Sequence, residues 1–169
     1  MPEIRQNRAT KEWVIIATER AKRPEDFVSK KEQKVLPEYD DKCPFCAGNE
    51  HLAPPATLVV GEINNWRVRV VPNKFAALAK DGELKRTING IRICVSGVGI
   101  HDVVVETPKH NLTTALLPVE NVKDIISVYK EKYKLISADN RIELITIFKN
   151  HGISAGTSLE HPHSQIIGT

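Results

Sequence analysis

Two histidines one residue apart, His161 and His163, are the side chains with the clearest chemical potential in this sequence. On an extended strand, alternate residues point to the same side, so the two imidazoles would share a face. The approach to them, Asn150-His-Gly-Ile-Ser-Ala-Gly-Thr-Ser158, is rich in small, amide and hydroxyl residues. A loop of that composition can bring backbone N–H groups close to a phosphate. Neutral imidazole is a competent nucleophile toward phosphorus near pH 7, so a histidine beside such a cradle is a candidate for covalent catalysis. The plainer alternative is a surface strand with incidental histidines.

A second constellation is Cys43-Pro-Phe-Cys46, a CxxC closed by Ala47-Gly48-Asn49. Proline and glycine set tight turns around the two thiols, and the spacing is that of a zinc knuckle, which needs two more ligands from elsewhere. His51, His101, His110, His151 and His161 are all donor candidates, and spacing alone does not choose among them. The competing readings are a redox pair or two buried thiols. No thioredoxin-like βαβ pattern surrounds the pair, which weakens the redox reading. Cys94 stands alone, and an odd count of three argues against a disulfide framework. Arg20, Lys22 and Arg23 form a small basic cluster that reads first as a solvated turn. Asn73, in Pro-Asn-Lys-Phe, reads as a turn residue. His101 and Cys94 read as structural, and His51 as a surface residue.

These residues need elements to hold them. Trp13–Ala17, Trp66–Val71, Ile91–Val95, His101–Glu106, Glu143–Phe148 and the segment from His161 to Ile167 read as strands, with Trp66–Val71 alternating as though half-buried. Pro118–Ile136 carries apolar residues at Val122, Ile125, Ile126, Val128, Tyr129 and Tyr133, close to the helical period, and predicts one amphipathic helix. Glu25–Asp41 reads as a long charged surface loop and Lys80–Gly90 as a mobile polar loop. Strands, one long helix and further strands, without a repeat, predict an α+β fold built on an antiparallel sheet.

The whole composition fits a single folded domain over residues 1–169: 41% hydrophobic and 27% charged, with a formal net charge of +3. That weak positive balance suits an anionic substrate and falls short of what nucleic-acid binding asks for. No apolar run reaches the roughly 18 residues needed to cross a bilayer, and the first residues lack a signal-peptide pattern. The expectation is a cytoplasmic protein without membrane or nucleic-acid partners.

Arg20-Ala-Lys-Arg-Pro24, Cys43-Pro-Phe-Cys-Ala-Gly-Asn49, Pro72-Asn-Lys-Phe-Ala-Ala-Leu78 and His161-Pro-His-Ser-Gln165 occur in the order found in galactose-1-phosphate uridylyltransferases. The chain resembles the N-terminal half of that family, which belongs to the histidine-triad superfamily. The resemblance implies a histidine-triad-like fold and a ping-pong transfer of UMP from a UDP-sugar to a hexose-1-phosphate, with His163 as the nucleophile. Gln165 stands where histidine-triad hydrolases usually carry a histidine. An amide can hydrogen-bond a phosphoryl oxygen but does not shuttle protons near neutrality, which favours transfer over hydrolysis. The resemblance also maps a structural zinc ion onto Cys43, Cys46, His110 and His161. Arg20 and Arg23 become phosphate contacts, plausibly across a homodimer; Asn73 lies near the nucleoside; Asn150, Gly156 and Ser158 join Gln165 along the phosphates. Glu160 departs from members with proline there. Members also carry a second, related half that contributes sugar-binding residues. The alternatives are an adenylyl-transferring relative such as an ADP-sugar phosphorylase, and a zinc-stabilised nucleotide-binding module without catalysis. A zinc-ribbon nucleic-acid binder would want a second CxxC and a denser basic surface.

Overall fold

The computed structural model describes residues 1–17, 35–152, 155 and 157–169. Among these, two antiparallel sheets and one α-helix make up the regular structure. The first sheet has five strands in the order β3-β4-β7-β9-β8: β3 (Leu58–Glu62), β4 (Asn65–Pro72), β7 (Ile100–Val105), β9 (His163–Gly168) and β8 (Ile145–Phe148). The second has four in the order β2-β1-β6-β5: β2 (Trp13–Ile16), β1 (Glu3–Gln6), β6 (Arg92–Ser96) and β5 (Arg86–Asn89). The α+β class expected from the sequence is therefore observed, with two sheets rather than one. The segment 80–90, read as a polar loop, contains strand β5. Its residues are exposed on the hairpin it forms with β6, so no buried face left a period-2 apolar signal.

Helix α1 (Val119–Ser137) covers one face of the five-stranded sheet. Its inward stripe is Ile125, Val128, Lys132 and Ile136, whereas Ile126 and Tyr133 of the expected apolar set are exposed. Ile125, Val128 and Ile136 pack with Val68, Val70, Val104 and Ile166, each side chain contributing about 1.5–3 kcal/mol of burial free energy. Lys132 enters this stripe because its ammonium meets the buried carboxylate of Asp102 at 2.6 Å.

The opposite face of the same sheet carries a second cluster of Cys43, Phe45, Cys46, Trp66, Val71, Val103 and Val105. Strand β4 is thus covered on both sides, not half-buried as its alternation suggested. Its register against β3 skips Arg67: Gly61 pairs with Trp66 and Val60 with Val68. This bulge turns Trp66 to the side of Arg69, whose guanidinium lies 4.9 Å from the Trp66 ring centroid. The chain enters β7 through Gly99, where a Cβ would lie 2.2 Å from the Gly168 carbonyl oxygen, so only glycine permits that approach.

Candidate functional site: a buried Cys2His2 cluster beside a histidine-lined cavity

The knuckle at Cys43–Asn49 is held by its own backbone and one asparagine. Asn49 Nδ2 donates to the carbonyls of Asp40 and Cys43 at 2.9 Å each, while its Oδ1 accepts from the Tyr39 hydroxyl. The Phe45 and Asp40 N–H groups point at Cys43 Sγ and Cys46 Sγ, both at 3.4 Å. Gly48, at φ +92°, supplies the left-handed turn that closes the loop. Arg69, 2% exposed, donates from Nη2 to the Pro44 carbonyl at 2.6 Å and so ties the knuckle to the sheet. Its alternation with valines had suggested a solvent-facing side chain.

Cys43, Cys46, His110 and His161 converge, and all four are buried. Cys43 Sγ is 3.6 Å and Cys46 Sγ 3.7 Å from His161 Nδ1, and Cys46 Sγ is 3.5 Å from His110 Nδ1. A tetrahedron with Zn–N and Zn–S bonds of about 2.0–2.3 Å has edges of roughly 3.3–3.8 Å. These three separations fall in that range, and all four donor atoms lie within 4.8 Å of one another. His161 Nε2 lies 2.7 Å from the Thr107 carbonyl. A carbonyl only accepts, so the ring proton sits on Nε2 and Nδ1 turns its lone pair to the cluster. Burial pulls the His161 pKa down to about 4, which keeps the imidazole neutral. Burial pushes the Cys43 thiol up to about 11, with the neighbouring Cys46 adding to the rise. The four residues can hold a metal ion.

Strand β9 begins at His163, two residues later than the sequence suggested, and His161 sits in the bend before it. Phe45 contacts both imidazoles, at centroid distances of 5.9 Å to His161 and 5.4 Å to His163, so they do lie on one side. His163 Nδ1 is 2.7 Å from the His161 carbonyl. The same argument puts the proton on Nδ1 and the lone pair on Nε2.

His163 lines a cavity of about 390 Å³ between the sheet and the knuckle. Its apolar lining includes Phe45, Leu52, Pro54, Phe75, Val103 and Leu159, and its polar lining His163, Gln165, Asn73, Lys74 and Ser158. Such a cavity suits a ligand with one flat apolar part and one anionic part. Asn73 and Gln165 meet inside it: Asn73 Nδ2 donates to Gln165 Oε1 at 3.3 Å. Of the other residues singled out from the sequence, Asn150 is exposed and is not among the cavity-lining residues, and Glu160 is exposed before the cluster. Arg20, Arg23 and Gly156 lie outside the described residues. His101, read as structural, touches Gln165 directly, at 2.7 Å from its Oε1. No local signal marked this contact: it arises from the β7–β9 register, which puts His101, Val103, His163 and Gln165 on one face.

Comparison with known proteins agrees with this geometry. Residues 1–169 match the family described as galactose-1-phosphate uridyl transferase, N-terminal domain. The chain is similar to an ADP-glucose phosphorylase of Arabidopsis thaliana, at 38% identity over 98% of this chain and 48% of the relative. It is also similar to a galactose-1-phosphate uridylyltransferase of Haemophilus influenzae, at 30% identity over 98% of this chain and 46% of the relative. Among solved structures, an Arabidopsis thaliana ADP-glucose phosphorylase with bound ADP-glucose superposes with a TM-score of 0.66 at 31% identity, covering 100% of this chain and 49% of that one. A uridylyltransferase structure gives 0.68 at 26% identity, covering 98% and 45%. The chain spans about half the length of these relatives, and it belongs to the galactose-1-phosphate uridyl transferase family, matching the N-terminal domain.

Proposed function

We propose that this chain is the nucleophile-bearing half of a nucleotidyltransferase that moves a nucleoside monophosphate from a nucleotide sugar to an incoming phosphate, through a covalent bond to His163. The observation that carries this reading is the lone pair on His163 Nε2, fixed by the Nδ1 bond to the His161 carbonyl, in a side chain that lines a cavity of both apolar and polar residues. Nε2 attacks the α-phosphorus and forms a P–N bond while the bridging P–O bond breaks. The leaving group departs as a sugar 1-phosphate. A phosphate oxygen of the acceptor then attacks the same phosphorus, breaks the P–N bond and returns His163 to its neutral form. Gln165 hydrogen-bonds a phosphoryl oxygen, Ser158 assists along the phosphates, and Asn73 borders the nucleoside. Asn150, Gly156, Arg20 and Arg23 retain phosphate-binding roles in this proposal. The metal, zinc in this reading, supplies rigidity: four protein ligands leave no position for substrate. A homodimer, and a second half that completes the sugar site, belong to the same reading.

For the donor, UDP-glucose with galactose-1-phosphate as acceptor is the reaction after which the matched family is named. A specific observation favours the adenylyl alternative as well: the 38% identity to a relative called ADP-glucose phosphorylase. Intact-mass spectrometry at neutral to basic pH, after incubation with UDP-glucose or ADP-glucose, separates the two. A bound UMP or AMP names the base. His163→Ala is expected to abolish the adduct while keeping metal content and fold. An adduct that survives this substitution overturns the assignment, and no adduct from either donor leaves a binding module or a half-enzyme that needs the rest of its chain.

A further inference from the structure

Gln165 lines the cavity and one end of its amide meets His101 and Asn73, and an amide can be set there in two senses. Which sense operates decides whether the cavity receives a donor or an acceptor, and only a donor can stabilise a phosphoryl oxygen. Two backbone N–H groups settle it. The Ala77 N–H donates to His101 Nδ1 at 3.0 Å. A backbone N–H has no other role, so Nδ1 bears no proton and the neutral ring carries its hydrogen on Nε2. Nε2 faces the Gln165 side chain at 2.7 Å, and the atom that accepts from it must be the oxygen. The Phe75 N–H donates to Asn73 Oδ1 at 2.9 Å, which turns Asn73 Nδ2 outward, 3.0 Å from His101 Nε2 and 3.3 Å from Gln165 Oε1. Because the His101 tautomer already puts a proton on Nε2, the Asn73 NH2 group has only the Gln165 oxygen to donate to. Two donors therefore converge on one oxygen, so the Gln165 NH2 group points away from His101 and Asn73, in a side chain that lines the same cavity as His163.

We propose that His101 is a positioning residue for nucleotidyl transfer: by donating to Gln165 Oε1 it locks the amide with its NH2 toward the reacting phosphoryl group. This rests on the reading of His163 as nucleophile. His101 is suited to the task because it is 5% exposed and its backbone carbonyl accepts from the Asn73 N–H at 2.9 Å, so β7 and the segment after β4 hold both donors in one frame. Its position diagonal to Gln165 across the β7–β9 ladder places the two long side chains within reach of each other. A hydrophobic residue at 101 would leave the Gln165 amide held by Asn73 alone, free to spend time with its oxygen toward the phosphate, where like partial charges repel.

The test compares wild type, His101→Leu and His101→Gln in single-turnover formation of the His163 adduct, with nucleotide-sugar affinity measured separately in each. Loss of a single positioned donor to a developing oxyanion costs about 10²–10³ in rate, and partial misorientation a smaller factor. His101→Leu is thus expected to slow adduct formation about 10- to 100-fold with affinity changed less than about threefold. His101→Gln, whose amide can still donate, is expected to recover most of that loss. Melting temperatures and metal content of the three proteins identify any variant that has failed to fold. If His101→Leu unfolds, the comparison of His101→Gln with His101→Glu, which reverses the hydrogen-bonding sense at the same length, carries the test. A Leu variant as fast as wild type, or a Gln variant as slow as a folded Leu or Glu variant, overturns the positioning role while leaving the transfer reading intact. The comparison is made in the full-length protein, and a wild-type protein that forms no adduct there overturns the transfer reading and this role with it.

Discussion

His161 and His163 are separated by a single proline, yet their hydrogen bonds give them opposite tautomers. His161 gives its Nε2 proton to Thr107 and points Nδ1 at the thiols; His163 gives its Nδ1 proton to the His161 carbonyl and so carries its lone pair on Nε2. The metal cluster and the nucleophile are therefore one mechanical unit, because a shift of His161 moves the acceptor that fixes the His163 tautomer. The thiol side of the cluster is costly without an ion, since burial holds Cys43 protonated up to about 11. A bound divalent ion replaces that proton and couples metal binding to folding. Cys43→Ser is expected to lose the metal and to lower Tm by at least about 2–4 °C, the shift that a loss of about 1 kcal/mol gives in a domain of this length. Elemental analysis with calorimetry checks this, and a metal-free variant of normal Tm would count against a folding role for the ion.

At the scale of elements, β9 serves both faces of its sheet. His163 and Gln165 point to the cavity, while Ser164 and Ile166 face α1. Behind the nucleophile, the Tyr129 hydroxyl of α1 donates to Ser164 Oγ at 2.7 Å. The buried Glu106 carboxylate accepts from the Thr114 hydroxyl at 3.1 Å and pairs with the Lys149 ammonium. This network joins helix and strand through polar groups that burial makes expensive to leave unpaired. Burial pushes the Tyr129 phenol up to about 12, with the Glu106 charge adding to the rise. The folded state therefore keeps a proton that the unfolded chain loses near pH 10. Its contribution is intact below that pH and disappears as pH rises toward 12, costing up to about 2 kcal/mol. In Tyr129→Phe this alkaline slope should vanish, against a loss of about 1 kcal/mol at neutral pH from the missing bond to Ser164. Urea unfolding between pH 8 and 11.5 measures both; an unchanged slope would show that Tyr129 is not the group responsible.

Over the whole molecule, the site is assembled from segments far apart in the chain: the knuckle at 43–49, the turn at 73–77, strand β7 with the loop to His110, and the run from Ser158 to Gln165. The five-stranded sheet is the common support, sealed on one side by α1 and on the other by the knuckle. Among the described residues no helix is long and apolar enough to cross a membrane. If the cluster aims the nucleophile from this distance, stripping the metal at a temperature where the chain stays folded should slow adduct formation at His163 about 10- to 100-fold, the range seen when groups that orient a site are removed. Chelation followed by metal restoration, with the adduct read by mass, makes the comparison. A metal-stripped, folded chain that reacts at full rate would confine the ion to stability.

Periodicity sufficed for α1, because one face of a long helix meets the core and its apolar residues recur with the helical turn. The core strands β4, β7 and β9 were legible as strands, β4 from its alternation and β7 from its valine run, although β9 begins two residues later than expected. Composition and spacing marked Cys43, Cys46, His161 and His163 as chemically able, and the order of the motifs indicated the family. The partition into two sheets, the exposed strand β5 and the burial of β4 on both faces were not legible. They depend on which strands pair and what covers them, and neither is a local property of the chain. Spacing likewise left five histidines open as partners for the thiols. His110 was named by resemblance and brought to the cluster only by the fold, with its N–H bonded to the Glu38 carbonyl at 2.8 Å. Arg69 and His101 carried no local signal either, since a charged or imidazole side chain in a strand is ordinarily directed to solvent. Tertiary structure decided their roles: the knuckle packs over the face of β4 that carries Arg69 and receives its hydrogen bond, and the register of β7 on β9 places His101 against Gln165.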